Sequence, residues 1–239
     1  MLYQPLLNIL ILLYKYLPLH DFGIAVIVLT VIIRLLFYPL MARSIKNQKT
    51  LKKLQPKIQE VQEKYKQDKQ KQAEALLELY KKEKFNPFSG LLPILVQLPV
   101  LIALFNVFRR GLGAEQMVYL YPFVAQPPLI NTTFLGLIDL SESCSGQTGL
   151  LIPNVILVVL VGIVQFFQTK MTMPETQKTK QEDNPIAQVS KMMQKQMLYF
   201  FPFFTVLILW KLPAVIGLYW LISTLFSFFQ QYLIFKKPS

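Results

Sequence analysis

Four long apolar stretches, separated by strongly basic segments, limit what this chain can fold into. An α-helix rises about 1.5 Å per residue, so about 20 residues cross a hydrocarbon core of about 30 Å. Only 16% of the residues are charged, whereas globular domains contain about 25%. The pattern predicts an all-α polytopic membrane protein and argues against a water-soluble enzyme. The stretches are Phe22–Met41, Phe88–Phe108, Leu150–Thr169 and Leu198–Phe235.

The last stretch is too long for a single span, because one helix of that length would extend roughly 57 Å. Lys211, Pro213 and Gly217 interrupt it. We therefore expect a hairpin of a short fourth span and a longer fifth span, which gives five transmembrane helices in all. A span as short as the fourth requires local thinning of the bilayer or cover by neighbouring helices.

The chain begins with an apolar segment that is too short to span the bilayer. Pro5 suits the first turn of a helix, and Gln4, Asn8 and Lys15 lie roughly on one side of that helix. Such a segment favours the membrane interface, and a full span is the alternative. A signal peptide is not expected, because no basic residue precedes the apolar run.

The basic residues are concentrated on one side of the predicted spans. Residues 42–87 contain 13 Lys and Arg against 6 Asp and Glu, and residues 170–197 contain 5 against 3. By the positive-inside rule these segments face the cytoplasm. The N-terminus then lies outside and the C-terminus inside, and the absence of a transit peptide favours a bacterial plasma membrane over an organelle.

These arguments predict a complete layout for the chain. The five spans are 22–41, 88–110, 150–169, 198–212 and 213–235. The extracytoplasmic segments are an interfacial helix at 1–21 and a loop at 111–149. The cytoplasmic segments are a helical hairpin at 42–87, a loop at 170–197 and a tail at 236–239.

The segment 42–87 carries two apolar stripes and therefore predicts a helical hairpin. Apolar residues in each stripe recur every three or four positions, which places them on one face of a helix. Gln67–Gln70 is polar enough for the turn, and Pro56 is expected to kink or restart the first helix. The first stripe is Leu51, Leu54, Ile58, Val61 and Tyr65, and the second is Ala73, Leu76, Leu77 and Tyr80.

Arg34 lies inside the first predicted span. An arginine at the centre of a span costs about 2.5–3.5 kcal/mol on insertion scales, so an intramembrane charge indicates a functional site. No acidic residue lies in an apolar stretch to pair with it, and Thr30 and Tyr38 lie one turn away on the same face. We expect a hydrated positive charge with no fixed structural partner. Snorkelling toward the lipid headgroups is the alternative.

The other predicted spans contain a few isolated polar residues. Gln97 lies in the second, Gln165 in the third, and Ser223 and Thr224 in the fifth. Each of them can hydrogen-bond a neighbouring helix. Together with Arg34 they are typical of a water-filled cavity within the bundle, open on the basic side.

Catalysis and metal binding are not expected. One histidine, His20, and one cysteine, Cys144, cannot make a disulfide framework or a Cys/His metal site. No predicted span provides the His or Asp of an intramembrane protease. We therefore expect neither an enzyme nor a cofactor. The outer loop, residues 111–149, is expected to tolerate change, including Cys144→Ser, because it is poor in charge and lies outside the predicted cavity.

Four motifs resemble the YidC/Oxa/Alb family of membrane protein insertases. They are T-V-I-I-R-L-L-F-Y-P-L at 30–40, L-Q-P-K-I-Q at 54–59, N-P-F-S-G-L-L-P-I-L-V-Q-L-P-V at 86–100 and G-L-Y-W-L-I-S at 217–223. The order of five spans, with a charged hairpin after the first, is also that of the family. The resemblance implies that Arg34 and Thr30 line a hydrophilic groove, closed toward the outside and open to cytoplasm and lipid. It implies a similar role for Trp220, where many members have tyrosine.

The resemblance implies a non-enzymatic insertase and chaperone that places hydrophobic segments of other proteins in the bilayer. The expected partners are nascent membrane-protein substrates and lipid, with the ribosome, signal recognition machinery and the Sec translocon as further candidates. No direct nucleic-acid recognition is expected. Two alternatives are a small anion channel or transporter and a structural assembly partner of a translocon. The predicted groove residues are Arg34, Thr30, Gln97, Gln165, Trp220 and Ser223.

Overall fold

Helices dominate the structure, a computed structural model that describes residues 3–17, 20–86, 92–109, 118–127, 130–146, 149–173 and 185–236. The mostly helical architecture confirms the predicted class, and two short β-hairpins are added to it. The helices are α1 (Tyr3–Tyr16), α2 (Phe22–Leu36), α3 (Tyr38–Lys64), α4 (Lys69–Lys82), α5 (Leu92–Arg109), α6 (Ile152–Thr172), α7 (Pro185–Trp210) and α8 (Ala214–Lys236). The strands are β1 (Thr133–Phe134), β2 (Ile138–Asp139), β3 (Ser145–Gly146) and β4 (Gly149–Leu150).

Two helices, α6 and α8, are each long and apolar enough to cross a bilayer. A third candidate span is the bent pair of α2 and α3, whose axes meet at 66°. Shorter apolar segments, Leu95–Phe108 and Leu198–Trp210, lie within α5 and α7. By length and composition, the described residues therefore support two or three of the five predicted spans.

The bend between α2 and α3 falls at Phe37, within the first predicted span. In a straight helix the ring of Pro39 would clash with the carbonyl of Leu35. Helical bonding continues on both sides, since the Phe37 N–H donates to the Ile33 carbonyl at 3.1 Å and the Met41 N–H donates to the Phe37 carbonyl at 3.0 Å. The last part of the segment 22–41 therefore runs in the direction of α3.

Helices α3 and α4 form a helical hairpin, joined by a short turn. Asp68 caps α4 by accepting the Lys71 N–H at 3.0 Å, and this bond lowers the pKa of the Asp68 carboxyl. Lys57 and Glu83 form an ion pair at 2.6 Å across the hairpin. Of the two outcomes expected at Pro56, a restart was wrong, because Pro56 lies inside one continuous helix.

The apolar contact between α3 and α4 forms a small core of its own. Its buried residues are Leu54, Ile58 and Phe85. The predicted second stripe was partly wrong, because Leu77 is exposed and Leu79 packs in the cluster in its place. The partly buried members are Leu51, Leu76, Leu79 and Tyr80. The cluster is separate from the main core, so the hairpin packs mostly on itself.

The main core surrounds the first half of α8. This helix packs against α2, α3, α5, α6 and α7, and residues 214–219 of it are all buried. They share one apolar cluster with buried side chains of α1, α2, α5 and α6. The bundle is therefore tightly packed at the end where α8 begins.

Residues 118–127 and 130–146, here called the cap, lie over that end of the bundle. The buried Asn154 of α6 donates to the carbonyl groups of Asp139, Glu142 and Ser143 at 3.1–3.3 Å. The first N–H groups of α8 are satisfied by the cap as well. The Ala214 N–H donates to the Glu142 carbonyl at 2.8 Å, and the Val215 N–H donates to the Leu140 carbonyl at 3.1 Å.

Helix α1 is also fastened to the cap. The Asn8 amide donates to the Tyr119 carbonyl at 3.1 Å, and its Oδ1 accepts the Tyr121 N–H at 2.7 Å. The Tyr14 hydroxyl accepts the Asn131 N–H at 3.1 Å. The sequence placed Asn8 on a polar face, whereas the structure buries it as an anchor between α1 and the cap.

The cap approaches α2 closely at Gly23. A Cβ at this position would overlap the side chain of Phe134, so any other residue would displace the aromatic ring. Beside it, Asp21 accepts the Ile24 N–H at 3.0 Å and the Leu135 N–H at 2.7 Å. One carboxylate thus caps α2 and holds the β1–β2 turn.

Cys144 lies in the apolar core, with 1% of its surface exposed. Burial raises the pKa of its thiol, so the side chain stays neutral and behaves as a small hydrophobic group. Its carbonyl accepts the Leu151 N–H at 2.9 Å. This packing argues against the expectation that the outer loop tolerates change.

We expect Cys144→Ser to destabilise the protein, because a buried hydroxyl without a hydrogen-bond partner costs about 1–3 kcal/mol. Cys144→Ala keeps the site apolar and is the matched control, for which we expect a smaller loss. Thermal unfolding of the detergent-purified variants measures both effects. A Cys144→Ser protein that melts at the wild-type temperature would show that the cap is not part of the cooperative core.

Candidate functional site

A cavity of about 310 Å³ lies between α2, α5, α6 and α8. It is next to the half of α8 that follows the buried segment 214–219. Five of the six predicted groove residues meet here. The polar and aromatic lining consists of Arg34 from α2, Gln97 from α5, Gln165, Gln168 and Thr169 from α6, and Trp220, Ser223, Thr224 and Ser227 from α8.

The spacing of these residues explains why they share one space. On α8 the positions are 220, 223, 224 and 227, and on α6 they are 165, 168 and 169. Residues three or four positions apart lie on the same side of a helix. At this cavity each helix therefore turns a polar face toward the other.

Arg34 is held by neutral hydrogen-bond partners on two other helices. Its Nη1 donates to the Ser227 hydroxyl at 3.0 Å, and its Nη2 donates to Oε1 of Gln97 at 2.9 Å. The Gln97 amide in turn donates to the Tyr219 hydroxyl at 2.8 Å. The expectation that Arg34 has no fixed partner was therefore wrong, whereas no described carboxylate pairs with it.

The partners of Arg34 leave its positive charge in place. Serine and glutamine are neutral acceptors, and a guanidinium stays protonated at any physiological pH. Gln165 also lines the cavity, and its Oε1 is buried without a hydrogen-bond partner among the described residues. Buried polar atoms of this kind are normally satisfied by water. The geometry therefore suits a hydrated cationic cavity.

A second cavity of about 240 Å³ extends the first toward α3. The two share Pro93, Gln168, Thr169 and Ser227. In the second, the buried Oε1 atoms of Gln48 and Gln231 also have no hydrogen-bond partner among the described residues. Gln230 is tied down, because its amide donates to the Tyr38 carbonyl at 3.0 Å. The two cavities adjoin and are here called the groove, which runs from Arg34 to the start of the α3–α4 hairpin.

Sequence reasoning missed several groove residues of α8, although they belong to one polar stripe. The polar positions of α8 recur at 223, 224, 227, 230 and 231, which is one helical stripe. Extending the stripe beyond Ser223 finds Ser227, the direct partner of Arg34. The groove residues of α6, Gln165, Gln168, Thr169 and Thr172, follow the same three- and four-residue spacing and can be found in the same way.

Thr30 lies apart from the groove. It is buried, and its hydroxyl donates to the Val26 carbonyl of its own helix at 2.6 Å. It does not appear among the described residues that line either cavity. A groove role for Thr30 therefore stays a prediction from the resemblance alone.

The groove is closed at one end and has an apolar side. Toward the cap, the space between the helices is filled by fully buried side chains, among them Phe22, Leu104 and Val107. Beside Arg34, Leu98 lines the cavity while half of its surface is exposed. No group of three or more His, Cys, Asp or Glu residues that could hold a metal occurs in the described part of the chain. The arrangement can bind and hydrate a polar or acidic segment next to an apolar surface.

Comparison with known proteins agrees with this arrangement. The sequence model of the family described as "60Kd inner membrane protein" matches residues 12–239. A membrane protein insertase YidC from Fusobacterium nucleatum is 36% identical over 217 residues, which cover 91% of this chain and 87% of the relative. A membrane protein insertase YidC from Geobacter metallireducens is 36% identical over 99% of this chain, which spans 37% of that longer relative.

A solved structure has the same fold. It is a crystal structure of an active YidC insertase with its first transmembrane domain resolved, and it aligns with a TM-score of 0.60 and 26% identity. The alignment covers the whole of this chain and 47% of that one. The family match covers nearly the whole chain, and the Fusobacterium relative is matched over most of its own length. The chain therefore belongs to the 60Kd inner membrane protein family, the family of the YidC insertases.

Proposed function

We propose that this chain is a membrane protein insertase that hydrates the polar part of a substrate while its hydrophobic part enters the lipid. The observation that carries the proposal is the groove, a cationic polar channel inside an apolar bundle. Family membership supports the same activity, which involves no bond making or breaking and so needs no catalytic residue.

The groove lowers the barrier for a short polar segment. In hydrocarbon each unsatisfied backbone group costs several kcal/mol. The hydrocarbon core that a segment must cross is about 30 Å thick. The α8 face of the groove runs from Trp220 to Gln231, which is about 17 Å of helix. A segment in the groove is therefore hydrated over roughly half of the distance. Arg34 attracts acidic residues to the deepest point.

Helix α7 shortens the remaining distance that the polar segment of the substrate must cross. Its apolar segment, Leu198–Trp210, is about 20 Å long, which is less than the thickness of the hydrocarbon core. A short apolar helix thins the bilayer around it. The hydrophobic part of the substrate then leaves the groove along its apolar side, near Leu98.

The proposed topology has five spans with the N-terminus outside and the C-terminus in the cytoplasm of a bacterial plasma membrane. The excess of Lys and Arg in residues 42–87 supports a cytoplasmic hairpin. The cap then lies outside, and the groove opens to the cytoplasm. This orientation admits substrates from the side on which they are made. The ribosome, signal recognition machinery and Sec translocon remain proposed partners.

Reconstitution of the purified chain into liposomes tests the function directly. We expect insertion of a radiolabelled single-span substrate, measured by protection of its translocated tail from protease, without leakage of chloride or phosphate from the vesicles. Solute flux without insertion would favour the alternative of an anion channel. Absence of both would favour a structural partner of a translocon.

Arg34→Gln should slow insertion of substrates with acidic tails at least tenfold. Two unit charges about 4–8 Å apart at an effective dielectric constant near 20 attract each other by about 2–4 kcal/mol, and this attraction is lost. Arg34→Lys keeps the charge but forms only one of the two hydrogen bonds. We expect it to retain most activity and to lose about 1 kcal/mol of stability.

The matched substrate for this comparison has a neutral tail of the same length, and its insertion should change little in either variant. Protein levels and melting temperatures of both variants control for folding. If Arg34→Gln is active and Arg34→Lys is not, the residue acts as a hydrogen-bond hub, and attraction of acidic tails is not its role.

Deletion of residues 52–84 should leave a folded bundle that inserts substrates poorly. Leu51 and Phe85 pack in the same cluster, so a short Gly-Ser linker can join the ends of the cut. The hairpin core is separate from the main core, which is why we expect the melting temperature to stay near that of the wild type. Size-exclusion chromatography and the liposome assay measure the two effects. Aggregation of the deleted protein would identify the hairpin as a folding element.

A further inference from the structure

A cavity of about 390 Å³ lies outside the groove, between α3 and the last turn of α8. Lys49, Lys52 and Lys53 line it together with two glutamines and two apolar residues. The α3 positions 49, 52, 53, 56 and 59 are three or four residues apart and therefore share one helical face. The two glutamines are Gln55 and Gln59, and the apolar residues are Pro56 and Phe235.

Lys49 ties α3 to the end of α8. Its Nζ contacts the carbonyl oxygens of Ile234 and Phe235 at 3.5 and 3.4 Å. The last carbonyls of a helix lack partners within the helix and carry partial negative charge, so a cation is stabilised there. This contact lies beside the cavity and joins the two helices that form it.

The position of the cavity in the membrane follows from α8. That helix has 23 residues and is about 35 Å long, slightly more than the hydrocarbon core of about 30 Å. In the topology proposed above, its last turn, with Phe235, therefore lies at the lipid headgroups of the cytoplasmic leaflet. At this depth the ammonium and carboxamide groups of the cavity suit a lipid headgroup, and its aromatic ring suits an acyl chain.

We propose that this cavity binds the phosphate of an anionic phospholipid. Lysine ammonium and glutamine amide groups donate hydrogen bonds to the phosphate oxygens, and Phe235 and Pro56 contact the start of an acyl chain. Basic pockets beside membrane helices on the cytoplasmic side are suited to anionic headgroups. A lipid bound here would join the base of the α3–α4 hairpin to the bilayer.

The test measures binding of phosphatidylglycerol to the purified chain in detergent, by native mass spectrometry and by the shift in melting temperature. Phosphatidylcholine serves as the zwitterionic comparison, and inorganic phosphate tests the free anion. We expect saturable binding of phosphatidylglycerol in preference to phosphatidylcholine. Competition by millimolar inorganic phosphate would overturn the assignment to a lipid.

The variant K52Q/K53Q should weaken binding of phosphatidylglycerol about 30-fold, since each lysine near an anionic lipid contributes about fivefold. Lys49 is left intact because it holds α8. The matched control, K66Q/K69Q, removes the same charge at the exposed tip of the hairpin and should bind as the wild type does. An equal loss in both variants would mean that net charge alone attracts the lipid and would overturn the site.

The variant Phe235→Ala distinguishes binding of the acyl chain from binding of the headgroup. It leaves the charge unchanged, so we expect weaker binding of long-chain phosphatidylglycerol and unchanged weak binding of glycerophosphoglycerol, the soluble headgroup. If lipid binding does not change in this variant, the proposed contact between Phe235 and the acyl chain is wrong. The melting temperature of each variant without lipid confirms that the fold is retained.

Discussion

The guanidinium of Arg34 is the charge around which the groove is organised. Arginine cannot lose its proton to relieve burial, and an unsolvated ion in a low-dielectric interior costs several kcal/mol. The bundle meets this requirement with neutral acceptors, Ser227 and Gln97, and with a polar cavity. A carboxylate partner would also satisfy it, but would cancel the charge. Neutral partners hold the side chain in position and leave its field available to a ligand.

The bundle is divided into two halves with different physical properties. Near the cap, apolar side chains such as Phe22 and Leu104 fill the space between the helices, and backbone hydrogen bonds of the cap close the ends of α6 and α8. Beyond Tyr219 the same helices turn polar residues toward each other and leave cavities. Because α8 contributes to both halves, its packing near the cap fixes the direction of its groove face. A tightly packed end and an end with polar cavities are the arrangement on which the proposed function depends.

Periodicity predicted elements well and contacts less well. The apolar stripes of residues 51–80 predicted the α3–α4 hairpin, but the stripe on α4 included Leu77, whereas Leu79 makes the contact. Both residues suit an amphipathic helix, and the rotation of α4 against α3 decides between them. The cap shows the same limit. Its backbone bonds to Asn8 and Asn154 join segments more than ten residues apart in sequence, which no local pattern reveals.

The sequence by itself determined the helical class, the order of the apolar segments, the helical hairpin and the presence of a charge, Arg34, within an apolar segment. These features follow from the pattern of hydrophobic and charged residues along the chain. That pattern is local, and comparing segment lengths with the thickness of a bilayer is enough to interpret it. Only the tertiary structure decided that Ser227 and Gln97 hold Arg34, that Thr30 lies apart from the groove, and that Cys144 is buried. Each of these depends on the rotation and spacing of helices from distant parts of the chain. Those are set by packing of whole surfaces, which sequence periodicity alone does not encode.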